Sequence, residues 1–146
     1  MTNLDQMFQQ IEDLEGDLIA LEQALVRIPS VNTGFMPTGD ETPVCKYISD
    51  WLSKAGIESE ILESSPNRGN IIANIDGTSG KLGLLFMSHT DVVPVEDEDK
   101  WTFPPFSAEI HQGRIYGRGA SDCKGLLSAQ LMAMKVLKQN GVVLKD

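Results

Sequence analysis

The sequence predicts an α/β protein of interleaved helices and strands. Three observations carry that prediction: apolar residues at helical spacing up to Ile28, strand-like apolar runs between residues 57 and 87, and a last segment from Cys123 that is apolar on nearly every side. At 146 residues the chain suits one domain.

Met7, Ile11, Leu14, Leu18, Leu21, Leu25 and Ile28 alternate steps of four and three, which predicts an amphipathic helix lying on a core. The same spacing also serves a coiled-coil seam. Pro29 ends the helix, because the residue before a proline is pushed out of helical angles. Residues 30–41 read as a loop. Thr42 then caps a second helix with Pro43 at its first position, where no backbone donor is needed. Val44, Tyr47, Ile48, Trp51, Leu52 and Ala55 form its apolar face, and Gly56 stops it.

Strands follow at residues 57–62 and 70–75, separated by a polar turn at 64–69. After the turn at 77–80, residues 81–87 are apolar on both faces, as in a central strand covered by helices. Residues 91–118 are irregular, with Pro94, Pro104, Pro105 and an acidic stretch at 96–99. Within them Gln112-Gly113 turns a short hairpin. The segment from Cys123 to about Asn140 reads as a buried helix closed by Gly141.

Composition narrows the function classes. The chain is 41% hydrophobic and 23% charged, which fits a globular protein and not a disordered one. Twelve Lys and Arg against 21 Asp and Glu give a net charge of -9, which repels phosphate backbones and anionic lipid. Nucleic acid and membrane are therefore not the expected partners. No apolar run approaches the ~20 residues of a membrane span. The polar, acidic start MTNLDQMFQQ is not that of a signal peptide, and Cys45 and Cys123 make no disulfide framework. The location these features lead one to expect is the cytoplasm.

Two segments carry candidate chemistry. Ser88-His89-Thr90-Asp91 stands at the carboxyl end of the 81–87 run, the end of an open α/β sheet where ligands bind. His89 there suits a neutral imidazole ligand to a metal, and Asp91, two residues on, lies on the same side and reaches the other ring nitrogen. A strand-end histidine held by one hydrogen bond reads equally from the spacing. The second segment, Gly117-Arg118-Gly119-Ala120-Ser121-Asp122-Cys123-Lys124-Gly125, enters the last helix. Asp122 in its first turn stays ionised in the helix dipole and offers a cation ligand, or it simply caps the helix with Ser121. Dinucleotide, P-loop and serine-elbow patterns are absent, while Cys123 with His89 as its base is a third arrangement. His111 lies beside a turn and reads as solvated.

Taken together, SHTDVVP, the intervening KWTFPPFSAEIHQGRIYGRG and ASDCKG resemble the zinc-dependent aminoacylase and carboxypeptidase family, which includes acetylornithine deacetylase and succinyl-diaminopimelate desuccinylase. The resemblance runs along nearly the whole chain, from the helix ending RIPSVN onward. It implies a three-layer α/β/α catalytic domain with a mixed sheet, of which residues 1–146 form the N-terminal part. It implies that His89 ligates one zinc, that Asp122 bridges both metal ions, and that Asp91 behind the histidine counts as catalytic. The peptide after the bridging aspartate, Asp122 here, is commonly cis in family members. Trp101, Pro105 and Phe106 match a loop that looks structural. Lys124 and Arg118 match family positions without an assigned chemistry.

The implied reaction is hydrolysis of an N-acyl amino acid or small peptide by water held between two zinc ions, with cobalt or manganese as substitutes. A glutamate of a Glu-Glu pair serves the family as general base. No Glu-Glu occurs in these residues. Also unmatched are a second acidic ligand, a late histidine ligand and the small domain that serves dimerisation. The expectation is therefore an amidohydrolase piece with little activity of its own, from a longer form that is a homodimer. The alternative is a truncated, non-catalytic paralogue acting as a metal-binding or subunit-pairing module.

Overall fold

The computed structural model describes residues 3–35, 39–81 and 83–145. Its class is α/β. The expected N-terminal helix is divided into α1 (Asn3–Asp13) and α2 (Glu15–Arg27). They meet at Leu14, whose ψ of 9° departs from the helical value while the Leu18 amide still bonds its carbonyl. Of the predicted apolar stripe, Leu21 and Leu25 are fully buried, whereas α1 has no buried residue. The stripe thus works as a core face along α2 and as a cover along α1.

α3 (Thr42–Lys54) places Val44, Ile48 and Leu52 in the main core with Leu21, Leu25, Ile57, Leu127 and Leu131. Thr42 is not the cap. It is the first helical residue and its Oγ1 donates to Glu63 on the adjoining strand, while Glu41 holds the cap position without a side-chain capping bond, its carboxylate pairing with Arg68 at 2.8 Å. Gly56 ends the helix in the left-handed region at φ +74°.

β1 (Ser59–Glu63) and β2 (Gly69–Ala73) pair antiparallel, in register from Ser59↔Ala73 to Glu63↔Gly69. Gly69 is required here, because a Cβ would stand 2.9 Å from Thr42 Oγ1 and 3.1 Å from its Cα. The expected central strand at 81–87 is different, with Leu82 outside the described residues. Residues 83–87 run without ladder pairing, and Leu84, Leu85, Phe86 and Met87 are 60–79% exposed. The physical reason is that a strand apolar on both faces is buried only when neighbours flank it and layers cover it, and the described residues provide neither. Further on, Val31 bridges Val92 in parallel, so both strand senses occur.

β3 (Glu109–His111) and β4 (Arg114–Tyr116) form the expected hairpin. Gln112 and Gly113 both have positive φ, 51° and 72°, the signature of a type I′ turn. The acidic stretch becomes a single 3₁₀ turn (Glu98–Lys100), in which Lys100 pairs with Asp97 at 2.6 Å. Next, Ala120–Lys124 makes a wide, π-type turn into α4 (Gly125–Gln139). α4 buries Leu127, Leu131, Met132 and Val136 along one face and leaves Leu126 exposed, so it is half covered and not enclosed as its composition suggests. Lys135 ties it to α2 through Asp17 at 3.1 Å. No helix among the described residues is long and apolar enough to cross a membrane.

Candidate metal centre

His89 and Asp122 come from separate segments that are both fastened to the strip of chain after α2. Along residues 30–32, the Val92 amide donates to Ser30 O at 2.9 Å and the Asn32 amide donates to Val92 O at 2.8 Å. Ser30 Oγ, fully buried, donates to Thr90 O at 2.6 Å. These bonds hold the 89–92 segment. On the other side, Lys124 is 0% exposed and its Nζ donates to Leu25 O and Ile28 O, each at 2.9 Å. These carbonyls belong to the last turn and cap of α2, where helical acceptors lack partners and a cation is favoured. Burial lowers the Lys124 pKa to about 8.

Gly119 permits the close approach of the two segments. Its φ is +83°, and a Cβ there would lie 2.4 Å from Val92 Cγ1. The result is that His89 Nε2 and Asp122 Oδ1, 33 residues apart, stand 2.9 Å from one another. The peptide between Asp122 and Cys123 is cis.

The other ring nitrogen is equally engaged. His89 Nδ1 lies 3.0 Å from Asp91 O and 3.2 Å from Asp91 Oδ1. Acceptors therefore face both nitrogens, but a neutral imidazole carries one N–H. Two species satisfy this arrangement: an imidazolium, or a neutral ring with its proton on Nδ1 whose Nε2 lone pair shares a cation with Asp122. Without a cation the Asp122 hydrogen bond raises the His89 pKa, with partial burial acting against it.

The donor set fits a divalent metal. A nitrogen and an oxygen 2.9 Å apart are near the ~3.3 Å between ligand atoms around a tetrahedral ion with bonds of ~2.0 Å. Cys123 joins them, since His89, Asp122 and Cys123 each offer an atom within 4.8 Å of the others. Its thiol, however, donates to His89 O at 3.2 Å and braces the two segments. A cleft of about 830 Å³ opens beside the centre, lined by Ile48, Leu52, Leu127 and Leu131 as well as His89 and Asp91.

The structure thus brings His89, Asp91 and Asp122 together, with Asp122 the most open at 89% side-chain exposure. His111 lies elsewhere, in tilted and edge-on contact with Phe103 and Tyr116. The sequence does not single out Ser30 or Asn32, and it marks Lys124 only as a family position without an assigned chemistry.

Residues 85–146 match the model of peptidase family M20/M25/M40. The chain is 39% identical over 129 residues to a probable succinyl-diaminopimelate desuccinylase of Staphylococcus epidermidis, which covers 88% of this chain and 30% of that protein. It is 44% identical over 122 residues to a succinyl-diaminopimelate desuccinylase of Blochmanniella floridana, covering 82% of this chain and 30% of the relative. Among solved structures it is similar to an M20 family metallo-carboxypeptidase of Sulfolobus solfataricus, with a TM-score of 0.69 and 30% identity. That likeness covers 85% of this chain and 28% of the other. The chain spans about 30% of the length of the curated relatives it matches.

Proposed function

The chain belongs to peptidase family M20/M25/M40, and on that premise we propose that it carries the N-terminal part of a zinc amidohydrolase catalytic domain. The reaction is hydrolysis of the amide bond of an N-acyl amino acid or a small peptide. Likeness to two desuccinylases supports the acyl amino acid, and likeness to a metallo-carboxypeptidase supports the peptide. The observation that carries the reading is the convergence of His89 Nε2 and Asp122 Oδ1 at 2.9 Å.

In this reading His89 and Asp122 hold the metal and Asp91 orients the histidine. Asp91 keeps a proton on Nδ1, which leaves the Nε2 lone pair for donation and makes the ring a stronger donor. Asp122 has two oxygens, so it can serve two neighbouring ions. When bound, zinc lowers the pKa of a ligated water and polarises the scissile carbonyl. The exposure of Asp122 leaves the centre open to a substrate from solvent.

Zinc centres take three or more protein ligands, and the described residues bring two plus a thiol engaged elsewhere. We therefore infer that this chain alone takes up zinc weakly and hydrolyses little or nothing. A second reading, a non-catalytic subunit-pairing module, is favoured by the exposure of Leu84, Leu85, Phe86 and Met87.

The test is to titrate the chain with zinc and to assay it on N-succinyl and N-acetyl amino acids. Zinc uptake that drops on Asp122→Ala supports the enzyme-derived centre. Uptake indifferent to that change favours the pairing module, and chelator-sensitive hydrolysis by the chain overturns its inactivity.

A further inference from the structure

We propose that Asn32 is a positioning residue for the metal centre: its carboxamide fixes Asp91 and, through Asp91, the tautomer and aim of His89. The inference rests on the reading of His89 as a metal ligand given above.

Asn32 Nδ2 donates to Asp91 Oδ2 at 2.9 Å, while Asp91 Oδ1 lies 3.2 Å from His89 Nδ1. The two oxygens of one carboxylate are thereby divided between an amide and an imidazole. A carboxylate held at one oxygen swings broadly about its last torsion, whereas one held at both does not. The amide is itself oriented, because Asn32 Oδ1 accepts the Gly34 amide at 2.8 Å and turns the NH₂ end toward Asp91. Its backbone is pinned to the same segment through the bond from the Asn32 amide to Val92 O.

A turn-forming role explains the bond from Gly34, but not the donor aimed at Asp91. The chemistry of the amide also matters. It donates without charge, so Asp91 keeps its full negative charge for the Nδ1–H of His89, where a lysine or arginine would neutralise it. Partners at this remove from a metal commonly change its affinity by ~10–100-fold when removed.

The experiment compares the chain with Asn32→Ala and with Thr33→Ala, which removes a neighbouring turn bond, the Phe35 amide to Thr33 Oγ1 at 3.4 Å, and keeps the bond from Asn32 to Asp91. Two readouts are taken: the ¹⁵N and ¹H signals of the His89 ring in the metal-free chain at pH 8.5, and the zinc affinity by calorimetry. The expected result for Asn32→Ala is a loss of the Nδ1–H tautomer population and about tenfold weaker zinc binding. Thr33→Ala should keep the ring signals and hold zinc within about twofold. Ring signals and affinity unchanged in Asn32→Ala overturn the proposal, as does a Thr33→Ala variant that reproduces both effects. If the parent chain binds no zinc, the reading of the centre fails, and the ring signals alone decide the role of Asn32.

Discussion

Lys124 donates its buried ammonium to the carbonyl oxygen of Ile28 at 2.9 Å, and so ties the Asp122 segment to the strip of chain that also holds His89. Four residues on, Asn32 holds Asp91 from the same strip. The end of α2 therefore works as a common clamp for both halves of the centre.

Replacing Lys124 with Met removes the donor to both Leu25 O and Ile28 O; Leu25 O keeps the Ile28 amide at 3.2 Å, so Ile28 O is the acceptor left short. The expected loss of stability is about 1–3 kcal/mol, the cost of one such orphan. Urea unfolding of the two proteins reads this directly, and a change under ~0.5 kcal/mol would mean that the carbonyls find water instead.

Gly119→Ala combines a residue at φ +83° with a Cβ 2.4 Å from Val92 Cγ1. Left-handed strain of ~1–2 kcal/mol and overpacking of ~1–3 kcal/mol add to a predicted loss of about 3 kcal/mol. Because the clash pushes the Asp122 and His89 segments apart, zinc uptake should fall in the same variant. Intact uptake with lowered stability would contradict that coupling.

Cys45 is 0% exposed, and burial followed by the nearby Glu41 carboxylate raises its pKa from 9.0 to about 11. The folded chain therefore keeps the thiol proton over a range in which the unfolded chain has lost it. This contribution to stability is complete below pH 9.0 and is lost as pH rises toward about 11. Cys45→Ala should show a shallower fall in stability across that window. In iodoacetamide labelling of the folded chain at pH 8, Cys123 should react and Cys45 should not. Modification of Cys45 at a matching rate would refute its burial.

The exposed run at 84–87 should make the chain self-associate, because a contiguous apolar patch seeks cover. Leu84→Ser with Phe86→Ser should lower the sedimentation coefficient at high concentration and shift stability by less than ~0.5 kcal/mol. Unchanged association would place the sticky surface elsewhere.

How much of this was legible in the sequence depends on whether the deciding contacts are local. The hairpin at Gln112-Gly113 and the α3 face at Val44, Ile48 and Leu52 follow from spacing alone, because turn chemistry and helical period are properties of neighbouring residues. Likewise Asp91 falls beside His89 because an extended chain repeats every two residues. The fate of residues 83–87 was not legible, since burial of a strand depends on neighbours distant in sequence. Nor was the clamp at the end of α2. Lys124 reaches Leu25 across 99 positions, and Asn32 reaches Asp91 across 59, so no local pattern marks either contact.

The metal centre is tested most directly by anomalous diffraction at the zinc edge from crystals of the chain grown with zinc. The expected result is a peak about 2.0–2.2 Å from both His89 Nε2 and an Asp122 carboxylate oxygen, with the His89 Nδ1 side still facing Asp91. A peak at His111 or at the Cys45 thiol, with none between His89 and Asp122, would contradict it.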